Sequence, residues 1–252
     1  SDSIADNGLS VLKDANLDVL YLPDASIEEK SDAAKEIYGW IIRSGTTITD
    51  KMIEDSSNLQ VIGRAGVGVD NINIQTATRH GIVVMNTPDI NTISAAEHTL
   101  AMMLTLSRNI TIGDSEVKQG EWNRNELIGS ELSKKILGIV GMGKIGREVM
   151  TRCRSFGMTV VGYDPYMNQE MFNPEEVRIV ELDELVVNSD IISVHVPLTD
   201  STRDLFDYER LSKMKSTARI INVARGGIIN ETDLAKALND GLIAGAAVDV
   251  FT

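Results

Sequence analysis

Short apolar runs alternate with helical periodicity along the whole chain. Runs of four to six mostly aliphatic positions predict strands at residues 17–22, 38–42, 59–64, 82–85, 136–140, 159–163, 191–194, 219–223 and 244–248. Several are continuously apolar rather than alternating, Ile136-Leu-Gly-Ile-Val140 among them, as strands are when helices cover both faces of a sheet. Amphipathic stretches at 6–15, 27–37, 144–156 and 232–239 predict helices between them. Strand alternating with helix predicts an α/β fold with parallel sheets. Two doubly wound parallel-sheet domains are expected, one over residues 1–86 and one over 87–252. The second includes a long helix at 94–107, where Ser94-Ala-Ala-Glu97 reads as a capping box. Its run Leu100-Ala-Met-Met-Leu104 is apolar nearly all round, which suits a core helix or an interdomain or subunit contact equally.

Composition narrows the function. Hydrophobic residues make up 42% and charged residues 24% of 252, a globular balance that argues against disorder. No apolar run approaches the ~18 residues of a membrane span, and the first residues lack the basic-then-apolar layout of a secretion signal. The single cysteine, Cys153, makes neither an internal disulfide nor a multi-cysteine zinc site, so a reducing, cytoplasmic setting is expected. With 24 Lys and Arg against 37 Asp and Glu, the net charge of −13 repels polyanions. Aromatics at 4% leave little to stack on bases. The expectation is a small-molecule protein with no nucleic-acid or membrane partner.

One turn specifies the ligand. Gly141-Met-Gly-Lys-Ile-Gly146 follows a predicted strand and opens a predicted helix, the context in which GxGxxG binds a dinucleotide. Gly141 and Gly143 allow a tight turn and close approach of a pyrophosphate, and Gly146 lets helix pack on strand. The helix N–H groups and dipole then favour phosphate. Eighteen residues past Gly146, Asp164 ends the next predicted strand, where a carboxylate accepts from both ribose hydroxyls and repels a 2′-phosphate. No arginine adjoins it in sequence, so NAD is expected rather than NADP. The competing reading is a structural turn followed by a solvated Asp-Pro.

Further stretches carry a resemblance. They are Gly63-Arg-Ala-Gly-Val-Gly-Val-Asp-Asn71, Asn86-Thr-Pro88, Asn91-Thr-Ile-Ser-Ala-Ala-Glu-His98, His195-Val-Pro-Leu-Thr199, Asn222-Val-Ala-Arg-Gly-Gly227 and Ala247-Val-Asp-Val-Phe251. With the GxGxxG, the chain resembles the D-2-hydroxyacid dehydrogenase family along essentially its whole length. The resemblance implies a Rossmann NAD-binding domain at 87–252. It implies a flavodoxin-like substrate-binding domain at 1–86, apparently incomplete because the family's first strand and C-terminal return are absent.

The same resemblance implies that Arg225 is the catalytic arginine. The residues allow this independently, since a guanidinium after a strand's carboxyl end can hold a carboxylate and polarise a keto oxygen. A structural arginine in a glycine-rich turn is the alternative. By resemblance, Val67 and Gly68 offer backbone N–H groups to the substrate carboxylate, and Arg43 and Ser44 lie near its remote end. Arg43 suits a phosphate contact or a solvated surface position. Cofactor-lining roles are implied for Thr92, Gly141, Gly143, Lys144, Ile145, Gly146, Asp164, His195, Pro197, Thr202, Ala224 and Asp249. Thr92 also suits a helix cap, and Asp249 a buried pair within the protein. His80 and His98 read as structural, and His195 is not taken as the general acid.

The family's acid histidine and its orienting glutamate lie beyond the Asp249 motif, so these 252 residues are expected to bind NAD and turn over poorly. The implied reaction is hydride transfer between NAD and a small phosphorylated 2-hydroxy acid, 3-phosphoglycerate, in a homodimeric enzyme whose cleft closes on substrate. Alternatives are a glyoxylate or hydroxypyruvate reductase, another D-2-hydroxyacid dehydrogenase, and an NAD(H)-sensing module without catalysis.

Overall fold

The computed structural model describes residues 1–88 and 90–252 and divides into two units, Ser1–Asn91 and Thr92–Thr252. The first unit runs α1 (Asp6–Asp14), α2 (Ile27–Ala34), β1 (Gly39–Ile42), α3 (Asp50–Glu54), β2 (Val61–Arg64), α4 (Ile74–Arg79) and β3 (Val83–Asn86). Its three strands are parallel and in the order β1-β2-β3. Polar residues set the helix starts. Ser26 and Glu29 form a reciprocal capping box on α2, and Thr49 and Asn73 accept N–H bonds at the starts of α3 and α4. Trp40, Ile42, Ile48, Ile53, Ile62 and Ile72 form the core of this unit.

The strand expected at 17–22 does not form. The segment is outside any helix or strand, with Leu17 56% and Leu20 60% exposed. An apolar run becomes a strand only where a neighbouring ladder takes its N–H and C=O groups, and no described strand pairs with this one. The helix expected over 27–37 ends at Ala34, before the strand that starts at Gly39.

The second unit runs α5 (Thr92–Ser107), α6 (Ile110–Lys118), β4 (Ile136–Val140), α7 (Lys144–Ser155), β5 (Thr159–Tyr163), β6 (Arg178–Ile179) and α8 (Leu182–Asn188). It continues with β7 (Ile191–Val194), α9 (Tyr208–Ser212), β8 (Arg219–Asn222), α10 (Glu231–Asn239) and β9 (Gly245–Val248). All six strands are parallel, in the order β6-β5-β4-β7-β8-β9. That is the doubly wound dinucleotide-binding order, with chain direction across the sheet reversing beside β4. The fold is therefore α/β, as the strand–helix alternation predicts, with the Rossmann unit that the family resemblance implies.

Separate cores fill the two faces of this sheet. Leu185, Ile192, Leu211 and Ile220 pack on one side, and Met103, Leu137, Val149 and Cys153 on the other. Burying each large aliphatic side chain is worth roughly 1.5–3 kcal/mol. The helix α5 lies on the second face, with Ala96, Thr99, Met103 and Ser107 buried and Leu100, Met102 and Leu104 half-buried. It starts at Thr92, two residues before the expected cap, so Ser94 and Glu97 are helical residues and the predicted capping box is not made. The two-residue β6 has no counterpart among the predicted strands.

Candidate functional site

The turn after β4 is built by its glycines. Gly141 has φ +98°, and a Cβ there would lie 2.6 Å from the His195 carbonyl oxygen. A Cβ on Gly146 would lie 2.1 Å from the Gly141 carbonyl oxygen, so this position brings α7 down onto the turn. Gly143 differs: nothing of the protein lies within 4 Å of where its Cβ would be. Packing therefore requires Gly141 and Gly146, whereas the space at Gly143 stands open for a ligand. Gly143 is the N-cap of α7 and brings no side chain to its first-turn N–H groups, whose alignment suits an anion. Lys144 is exposed at the first helical position, and Ile145 packs half-buried on the core beneath. These residues fit the pyrophosphate of a dinucleotide.

Asp164 follows β5 and is already oriented by the backbone. One carboxylate oxygen accepts the Met142 N–H at 3.0 Å and the other accepts the Tyr166 N–H at 3.0 Å. Carboxylate oxygens have lone pairs left for the ribose hydroxyls. The fold also brings an arginine to this corner that the sequence does not place beside Asp164: Arg147 Nε donates to the Met142 carbonyl at 3.1 Å.

The loop after β7 adjoins the same turn. His195 N–H donates to the Val140 carbonyl at 2.7 Å, and its ring Nε2 pairs with the buried Ser193 hydroxyl at 2.8 Å. Burial holds the imidazole down to about pKa 4, so it is neutral at physiological pH and carries no proton to donate as an imidazolium. Pro197 is exposed, and its carbonyl accepts from the Thr202 hydroxyl at 2.6 Å. Thr202 Oγ1 in turn accepts the Thr199 N–H at 2.8 Å, which closes this loop on itself.

Arg225 stands on the turn after β8, held by a residue the sequence reading passed over. Asn222 is buried, donates from Nδ2 to the Arg225 carbonyl at 2.9 Å and accepts the Ala224 N–H at 3.0 Å. An asparagine closing the apolar run Arg219-Ile-Ile-Asn222 was its available signal, because a buried amide must find partners. Arg225 Nη1 donates to the Ala224 carbonyl at 2.7 Å. At the end of β9, Asp249 pairs with His98 of α5 at 3.2 Å, both side chains about half exposed. Asp249 is thus paired within the protein, yet at the surface rather than in the core. Thr92 is half-buried at the first position of α5.

The first unit holds the remaining positions. Arg43 and Ser44 are exposed after β1. The Arg43 N–H donates to the Asp2 carboxylate, Nη1 donates to the Ser3 carbonyl at 3.3 Å, and Asn71 Nδ2 donates to the Arg43 carbonyl at 2.7 Å. Val67 and Gly68 lie half-buried in the turn after β2, where Asn86 Nδ2 donates to the Val67 carbonyl at 2.6 Å. His80 is exposed just past α4.

Other chemistries find little support. Burial pushes the Cys153 thiol up to about 12, so it is not a nucleophile. Among the described residues no group of three or more His, Cys, Asp or Glu is placed to hold a metal, and no helix is long and apolar enough to cross a membrane.

Known proteins share this arrangement. Residues 100–252 match the D-isomer specific 2-hydroxyacid dehydrogenase, NAD binding domain. A D-3-phosphoglycerate dehydrogenase from Synechocystis sp. is 47% identical over 252 residues, 100% of this chain and 45% of that protein. One from Bacillus subtilis is 43% identical over 251 residues, again 100% of this chain and 47% of the relative. The chain thus spans about half the length of the curated relatives it matches. Among solved structures, an NAD-dependent formate dehydrogenase from Staphylococcus aureus in complex with NAD superposes with TM-score 0.89 at 34% identity, covering 97% of this chain and 74% of that one. The open cradle at Gly143 and the acid at Asp164 are what an NAD-binding domain requires, and the chain belongs to the D-isomer specific 2-hydroxyacid dehydrogenase family.

Proposed function

We propose that the chain serves NAD-dependent oxidation of D-3-phosphoglycerate to 3-phosphohydroxypyruvate, a step toward serine, in the cytoplasm. The observation that carries this reading is the similarity to D-3-phosphoglycerate dehydrogenases along the whole chain, in both units. NAD, when bound, would supply the acceptor for the hydride leaving C2, and the proton of the C2 hydroxyl would leave to solvent water. Arg225 holds the substrate carboxylate and the oxygen on C2, favouring the charge that gathers on that oxygen. In the first unit, the family resemblance gives the Val67 and Gly68 N–H groups to the substrate carboxylate and Arg43 with Ser44 to its phosphate. Gly141, Gly143, Lys144, Ile145 and Gly146 hold the pyrophosphate, with Thr92 beside it. Asp164 takes the adenosine ribose, while His195, Pro197, Thr202, Ala224 and Asp249 line the nicotinamide half.

The enzyme acts as a homodimer on this reading. Ile112, Val117, Trp122 and Ile128 of the second unit are each more than half exposed, apolar surface that association would cover.

The test is NADH oxidation by the purified protein with phosphohydroxypyruvate beside hydroxypyruvate and glyoxylate. Slow turnover that still prefers the phosphorylated keto acid is expected, and Arg43→Ala is expected to erase much of that preference. Equal or faster turnover of hydroxypyruvate or glyoxylate would replace the phosphoglycerate reading with a reductase of the same family.

A further inference from the structure

Met142, the second residue of the GxGxxG, is held at three points. Its side chain is fully buried and packs down against the sheet, where a Cβ on Gly162 would lie 2.7 Å from the Met142 sulfur. Its N–H donates to Asp164 at 3.0 Å. Its carbonyl accepts from Arg147 Nε at 3.1 Å. The Arg147 guanidinium also sits 4.5 Å above the Phe172 ring, with Nη2 3.6 Å from the Met167 sulfur. Met167 and Phe172 both belong to the connection between β5 and β6, downstream of Asp164. One side chain therefore ties the phosphate turn to the segment that follows the ribose acid.

We propose that Arg147 is a positioning residue for the adenosine half of NAD, acting through the Met142 peptide and the 167–172 segment. A turn whose N–H groups must aim at a pyrophosphate gains affinity when its peptides are fixed beforehand, because less ordering is left for binding to impose. Asp164 and Arg147 grip the two peptide groups on either side of the Met142 Cα, one through its N–H and the other through its C=O. The bonds to both ends fix that residue's orientation. The planar guanidinium suits this place: one edge donates to a carbonyl while its face stacks on a ring, which an ammonium cannot do at once. Arg147 is itself exposed, so the contacts are not needed to fill a core.

The proposal rests on the NAD reading of this unit, and calorimetric titration separates the two. NADH and ADP-ribose are titrated into the wild-type protein, Arg147→Ala, Arg147→Lys and Phe172→Leu, with thermal midpoints measured alongside. Arg147→Ala is expected to weaken both ligands by the same factor, about tenfold, with little change in midpoint. Arg147→Lys should recover less than half of that loss, and Phe172→Leu should weaken both ligands by a smaller common factor. Wild-type binding with unchanged affinity in Arg147→Ala would overturn the proposal alone. So would full recovery by lysine, which would mean that only charge matters. Loss confined to NADH, with ADP-ribose unaffected, would move the effect to the nicotinamide half and also overturn it. Failure of the wild-type protein to bind either ligand would remove the NAD reading and the proposal together.

Discussion

Asn222 brackets the turn that carries Arg225: its amide donates to the Arg225 carbonyl at 2.9 Å and accepts the Ala224 N–H at 3.0 Å. The Asn222 carbonyl also accepts the Asp249 N–H at 3.0 Å, so one buried residue fixes the turns after both β8 and β9. Asn222→Ala leaves two backbone groups without their partner, and should cost about 1–3 kcal/mol in urea unfolding. Because the Arg225 turn loses its support, kcat/KM for the keto acid should fall by about tenfold or more in steady-state assays.

Arg225→Lys tests the guanidinium itself. A lysine keeps the charge but loses the planar fork that meets two oxygens at once. On the proposed role, kcat/KM should drop by about 10²-fold or more while NADH affinity changes little, as read by kinetics and by titration. A drop confined to NADH binding would instead assign Arg225 to the cofactor.

The three glycines of the turn should separate by experiment. Gly141→Ala meets a positive φ and a carbonyl 2.6 Å away, and Gly146→Ala meets a carbonyl 2.1 Å away, so both should lower the thermal midpoint. Gly143→Ala meets no protein atom within 4 Å and should fold with nearly the wild-type midpoint. Its methyl group would occupy the space assigned to pyrophosphate, so NADH affinity should still fall by about tenfold or more. Wild-type NADH affinity in Gly143→Ala would move the pyrophosphate elsewhere.

The Rossmann half was the more legible of the two units because its strands are buried on both faces. The runs at 136–140, 159–163 and 191–194 coincide with β4, β5 and β7, since such strands carry unbroken apolar sequence. The run at 17–22, interrupted only by Asp18, also reads as a strand, yet strand formation depends on a neighbour, which hydrophobicity does not encode. At two residues, β6 is too short for any period to register. The start of α5 at Thr92 escaped for a related reason: Ser94 and Glu97 satisfy a capping pattern, but so do many serine–glutamate spacings inside helices. The glycine-rich turn was readable because Gly141 and Gly146 each answer a steric demand of the strand–turn–helix, and Asp164 because it directly follows the next strand. Arg147 was not, because Met167 and Phe172 lie on another segment of the folded chain, whereas Asn222 meets Ala224 and Arg225 close by in sequence and its position at the end of an apolar run was the signal passed over.

Cofactor choice should turn on Asp164. Replacing it with serine removes the charge that repels a 2′-phosphate and shortens the side chain that now accepts from Met142 and Tyr166. NADH affinity should fall by about tenfold, and the ratio of NADPH to NADH affinity should rise by a larger factor. Fluorescence titration with both dinucleotides reads each change separately. An unchanged ratio would mean that Asp164 serves only the turn.

His195 should set part of the acid sensitivity. Its folded value of about 4 lies below the ordinary histidine value of 6.5, so the unfolded chain takes up the proton first. The stabilising effect of the neutral, buried imidazole is fully present above about pH 6.5. It declines as the pH falls toward 4, by at most about 1.4 kcal/mol per pH unit, and then levels off. Carboxylates titrate across the lower part of the same window, so the informative quantity is a difference between proteins. His195→Asn keeps a polar side chain near Ser193 but cannot titrate. Urea unfolding of the wild type and His195→Asn at intervals from pH 7.5 to 4 should show the shallower decline in the variant. Parallel declines would mean that the imidazole takes up a proton as readily folded as unfolded, and that burial beside Ser193 does not keep it neutral.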